Sequence, residues 1–140
     1  MSSYKCIPWE DVNVGDHAEM RVVMDDAQVL EFSALIGDTE SFHVKEESAA
    51  LTPFKTRICH GVHLLAYVSV LIGKELPGFG TIYCSHEFEF FAPVYIGEEI
   101  FVRVEVLEKL DHRRLKMNTT IRLPDGGFVL KGTAVVKTHK

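Results

Sequence analysis

The sequence predicts an α+β fold in which an antiparallel sheet wraps around one long helix. Two observations carry this prediction. Residues 60–78, HGVHLLAYVSVLIGKELPG, form an apolar run too long for an average strand. After Pro77-Gly78, four stretches in a row read as strands joined by turns.

Taken in order, WEDVNVGD (9–16) reads as an entry loop closed by a Gly-Asp turn, followed by a strand around 17–23. The period then changes. Asp25 or Asp26 can cap a helix on which Val29, Phe32 and Ile36 recur at helical spacing, and Gly37 is a natural stop. A short helix over 46–52 precedes Pro53. The main helix runs from Gly61 to Glu75, roughly 22 Å at 1.5 Å per residue. Apolar residues lie on every side of it, and such a helix is usually buried.

In the stretch 81–94, Phe88 and Phe90 alternate with Glu87 and Glu89. In 98–110, Ile100, Val102, Val104 and Val106 share one face. A third strand spans 114–123, PDGG (124–127) makes a turn, and 128–138 supplies the fourth. A single sheet curled around the helix gives that helix the burial it needs. This is the hot dog arrangement. No repeat or linker interrupts it, so one domain over 1–140 is expected.

The chain has 140 residues, of which 46% are hydrophobic, enough for a real core without disulfides or metal. Its net charge of −5 argues against a nucleic-acid binder, although a local Lys and Arg cluster such as Lys55/Arg57 or Arg113-Arg114 can meet phosphates. Cys6, Cys59 and Cys84 are odd in number and widely spaced, which disfavours a disulfide framework. With no signal-type segment and no long apolar span, the expected compartment is the cytoplasm, and no membrane partner is expected.

Chemistry concentrates in GDTESFH (37–43) and CHG (59–61). On a helix, Asp38 and His43 would point about 140° apart. In a loop after a glycine stop they can meet. A carboxylate beside an imidazole can hold a water for acid–base work near neutral pH. Alone, the pair is better explained as turn chemistry. Gly61 adds a second element, because the first N–H groups of a helix lack partners and can stabilise an enolate oxygen. A tight loop-to-helix junction would explain that glycine as well. Cys59, His60, His63 and His43 could be read as zinc ligands. No second ligand pair accompanies them, and a hydrogen-bonded core histidine explains His63 better.

The ordered set of GDTESFHVKEESAAL, RICHG, LIGKELPGFGTIY, FEFFAPVYIGEEI and GTAVV resembles the MaoC-like family of (R)-specific enoyl-CoA hydratases. The resemblance spans roughly residues 9–136. The family's loop motif is Asp-x-Asn-Pro-x-His; Asp38 and His43 take its acid and histidine positions, and Glu40 and Ser41 replace Asn and Pro. The His-Gly step falls on His60-Gly61, and a supporting helix serine falls on Ser69.

The resemblance implies a hydro-lyase: a hot dog homodimer, or higher homo-oligomer, adding water reversibly to trans-2-enoyl-CoA. In that scheme Asp38 and His43 activate the water, Gly61 binds the thioester oxygen, and His60 and Ser69 support the site. No metal or redox cofactor is implied, and the carrier is CoA or acyl carrier protein. Glu40 either crowds Asp38 with a second carboxylate, raising one proton affinity, or points to solvent. Two other readings stand beside this one. One is an acyl-CoA thioesterase on the same fold. The other is a non-catalytic acyl-thioester binding subunit.

Overall fold

A computed structural model describes residues 4–140. The first three residues of the domain expected over 1–140, and of the segment read for a signal, lie outside the described residues. A short 3-10 turn at Trp9–Asp11 leads into strand β1 (His17–Val23), then helices α1 (Asp26–Ile36), α2 (Glu46–Ala49) and α3 (Gly61–Lys74). Strands β2 (Ile82–Phe90), β3 (Glu99–Leu110), β4 (Arg114–Arg122) and β5 (Phe128–Lys137) follow. All the pairings are antiparallel, and the strand order is β1-β3-β4-β5-β2. This is the hot dog sheet that the pattern of strands predicts.

The central strands β3, β4 and β5 alternate cleanly. Ile100, Val102, Val104, Leu115, Met117, Ile121, Leu130 and Val136 are wholly buried, and they face Leu64, Val68, Leu71 and Ile72 of α3 in one core. Each such aliphatic side chain contributes about 1.5–3 kcal/mol relative to its exposed state. The alternation in β3 breaks at a register shift between Val106 and Glu108, so that Glu108 is exposed like Leu107 before it. Among the described residues no helix is long and apolar enough to cross a membrane.

Two departures from the sequence expectation share one cause. Helix α3 is apolar on all sides but not buried on all sides: Val62, Ala66, Ser69 and Val70 form an exposed stripe along it. Among the described residues strand β2, at the sheet edge, pairs with β5 alone, and Phe88 and Phe90 stay exposed. Five strands are enough to cover one side of the helix, and the opposite stripe is left open beside an apolar edge.

The core assignment has a direct test. Ile121→Ala should cost about 2–5 kcal/mol in denaturant unfolding. Leu35→Ala, at a side chain 84% exposed, should fall within about 0.5 kcal/mol of the parent.

Candidate active site

Local rules place the acid. Asp25 caps α1 by accepting from Gln28 N–H at 2.9 Å. At the other end Gly37 takes the left-handed conformation, φ 82°, that a side chain would oppose. Gly37 N–H bonds Ala34 O at 3.3 Å and Asp38 N–H bonds Ser33 O at 2.9 Å. This is the paired closure of a Schellman motif. It fixes Asp38 two residues beyond Ile36, the last residue of the helix.

The histidine is set from the other side of the loop. Cys59 N–H bonds Val94 O at 2.8 Å, and Ile58 bridges to Tyr95, so the segment entering α3 is anchored before the helix begins. Ile58 O then accepts from His43 Nδ1 at 2.7 Å. A carbonyl can only accept, so His43 carries its proton on Nδ1 and leaves a lone pair on Nε2. Arg57 Nε donates to His43 O at 2.8 Å, and its guanidinium pairs with Asp26 at 2.7 Å. That arginine joins the histidine loop to the start of α1.

His60 unites the two halves. Its Nε2 meets Asp38 Oδ2 at 2.6 Å, and its ring stacks on His43 with centroids 3.8 Å apart. Phe32 of α1 touches His60 edge-on at 5.2 Å and stacks on His63 at 4.4 Å. Asp38 also accepts from Ser41: its hydroxyl reaches Oδ2 at 2.7 Å and its N–H reaches Oδ1 at 3.3 Å. Glu40 turns away and pairs with Lys45 at 2.6 Å, 77% exposed. Of the two alternatives for Glu40, the solvent-facing one holds.

These contacts set the charge states. Hydrogen bonds from Ser41 and then His60 hold the Asp38 carboxyl below the usual carboxylate range. Burial lowers the proton affinity of His43 and of His63, which favours neutral imidazoles at pH 7. An ionised carboxylate beside a neutral imidazole suits the binding and deprotonation of water.

Gly61 opens α3 directly after His60. Inside the helix the earliest N–H bonds are those of His63 and Leu64 to His60 O. Among the described residues, Gly61 N–H and Val62 N–H find no acceptor. A Cβ at position 61 would lie 2.6 Å from the tip of the Phe90 ring, so only glycine leaves that ring in place. A cavity of about 300 Å³, lined in part by Phe54, Cys59, Leu64, Phe90 and Val94, lies beside this end of the helix.

Four of the sequence-derived site residues therefore converge: Asp38, His43, His60 and Gly61. Ser69 does not join them within the chain. It lies about 12 Å along the helix axis from Gly61 and is exposed on the open stripe. Nor do the histidines share a binding point, because Nε2 of His60 faces Asp38 while Nε2 of His63 faces Tyr67 Oη at 3.3 Å. The sequence did not reveal that His60 is the direct partner of Asp38. Nor did it reveal that Arg57, Phe32 and Ile58 O hold the two histidines. Separations of 14, 15 and 22 residues leave no local signal for such contacts.

The fold is a hot dog sheet curled on one helix, and Asp38 and two imidazoles lie beside the N-terminus of that helix. The MaoC like domain model matches residues 12–125, and the chain belongs to that family. Over 133 residues it is 38% identical to a 3-hydroxybutyryl-CoA dehydratase of Methylorubrum extorquens, covering 94% of this chain and 84% of that protein. It is 33% identical to an (R)-specific enoyl-CoA hydratase of Rhodospirillum rubrum, covering 91% and 89%. An unliganded R-hydratase of Pseudomonas aeruginosa superimposes with a TM-score of 0.90 at 36% identity, covering 96% of this chain and 87% of that one.

The thiols offer a check on the packing around the site. Burial pushes Cys59 up to about 12, so it stays a protonated thiol beneath the helix end. In native protein a thiol reagent should label exposed Cys84 and spare Cys59, as read by peptide mass mapping. Labelling of Cys59 at the rate of Cys84 would contradict this packing.

Proposed function

We propose that the chain catalyses (R)-specific hydration of trans-2-enoyl-CoA to (R)-3-hydroxyacyl-CoA and the reverse dehydration. The observation that carries this reading is the charge pattern: ionised Asp38 and neutral His43 on one side, and the free N–H of Gly61 on the other. Water donates to the carboxylate and to His43 Nε2. Its oxygen bonds C3 while the C2–C3 π pair moves through the carbonyl to give an enolate. The Gly61 N–H, at the positive end of α3, stabilises that oxygen. The proton left on the Asp38–His43 pair is then delivered to C2.

The kinetic expectation is specific. Crotonyl-CoA should lose its enoyl-thioester absorbance in the presence of the protein. Asp38→Asn and His43→Ala should each lower kcat by about 10²–10⁴-fold. The active form needs Asp38 ionised and His43 neutral, and burial lowers His43 from its ordinary 6.5. Activity is therefore full at pH 7 and lost as pH falls through that lowered value. Unchanged rates in either variant, or an acid limb centred above 6.5, would sink the assigned roles. Thiol release from the same substrate would indicate a thioesterase instead, since hydration leaves the thioester intact.

The open stripe of α3 and the apolar edge of β2 fit a second copy of this chain, giving a homodimer or a higher homo-oligomer. Exposed apolar strand edges are otherwise prone to uncontrolled pairing. Ser69 lies in this stripe, so any support it gives the site runs through the surface that the second copy covers. Light scattering should give at least twice the chain mass, and Val70→Asp should shift the population toward monomer. A monomeric parent would contradict this assembly.

A further inference from the structure

We propose that Ser41 is a positioning residue of the hydration site, whose hydroxyl and N–H clamp the Asp38 carboxylate and tether His43 to it. This rests on the reading of Asp38 and His43 as the water-holding pair. The loop motif that the resemblance implies has proline at this position. Proline fixes its own φ but has no N–H and no hydroxyl to offer. Serine gives up that rigidity and supplies both donors.

The bonds form a closed set. Ser41 Oγ–H donates to Asp38 Oδ2 at 2.7 Å, and Ser41 N–H donates to Oδ1 at 3.3 Å. The same Oγ accepts from His43 N–H at 3.2 Å. One side chain therefore joins the acid to the backbone of the histidine, inside a stretch of loop that proline would otherwise stiffen. Ser41 is half-buried, which limits competition from solvent water.

The clamp also selects an oxygen. Oδ2 takes two short bonds, from Ser41 Oγ and from His60 Nε2 at 2.6 Å. Oδ1 takes only the long bond from Ser41 N–H. A carboxylate oxygen has capacity for more than one donor, so Oδ1 is the atom left to receive the water. Without the hydroxyl, the carboxylate keeps His60 on Oδ2 and only the long Ser41 N–H bond on Oδ1, so it is held less firmly about χ2, a broad two-fold torsion, and the water's acceptor is less well fixed. Glu40 does not compete for this role, because it is held outward on Lys45.

Three variants and two measurements test the clamp. Carbon-detected NMR titration of the Asp38 carboxyl needs no turnover. Ser41→Ala removes the hydroxyl, and Ser41→Pro removes both donors and restores the family residue. Both should move the Asp38 midpoint to higher pH, the proline variant at least as far as the alanine. Ser41→Thr keeps the hydroxyl and should titrate like the parent. With crotonyl-CoA, Ser41→Ala should lower kcat about tenfold or more while KM changes by less than about threefold, and Ser41→Thr should recover most of the loss. An Asp38 midpoint unmoved in both the alanine and proline variants, or an alanine variant with parental kcat, overturns the proposal. A parent protein that does not hydrate crotonyl-CoA removes the hydratase reading, and the titration then decides the clamp by itself.

Discussion

The structure depends on covering one side of an apolar helix. Leu64, Val68, Leu71 and Ile72 must leave water, and strands β3, β4 and β5 curl over them with Val102, Val104, Met117 and Ile121. The hydrophobic effect is non-directional, so it fixes only that the helix is covered. Direction comes from the connections. The segment 58–59 is pinned to 94–95 by backbone bonds, which aims the N-terminus of α3 out of the core. The same packing that hides the helix body therefore presents its unpaired N–H groups.

From that anchored end the site assembles through short-range chemistry on three segments. A Schellman closure delivers Asp38, the carbonyl of Ile58 orients His43, and His60 bridges them from the helix cap position. A side chain at such a position often caps its own helix. His60 makes no such bond and reaches for Asp38 instead. That leaves the N–H groups of Gly61 and Val62 without an acceptor among the described residues.

Burial and hydrogen bonding divide the proton affinities. Asp38 keeps its charge because its oxygens accept from Ser41 and His60. The half-buried imidazole of His43 and the buried one of His63 favour neutrality because charge there would be poorly solvated. Phe32 and Phe42 flank the stacked histidines and exclude water from their faces. Glu40 and Ser41, which stand between the two groups, fit this scheme. Glu40 is neutralised outward by Lys45, and Ser41 donates where proline could not.

Much of this was legible in the residues alone. Alternation in 98–110, the Gly37 stop and the apolar run after His60 set the elements nearly to their ends, because period and turn chemistry are local. Asp38, His43 and Gly61 were legible as candidates for the same reason: a glycine-stopped loop and a helix start advertise themselves in short windows. The partner of Asp38 was not legible, since His60 is 22 residues away and only the packed loop brings them together. The exposure of Val62 and Val70 was equally hidden, because a hydrophobic pattern records which residues avoid water but not what covers them. The sequence by itself determined the helix, the strands and the chemistry available. Tertiary packing decided which oxygen meets which ring, because those distances are set by the fold rather than by neighbours in the chain.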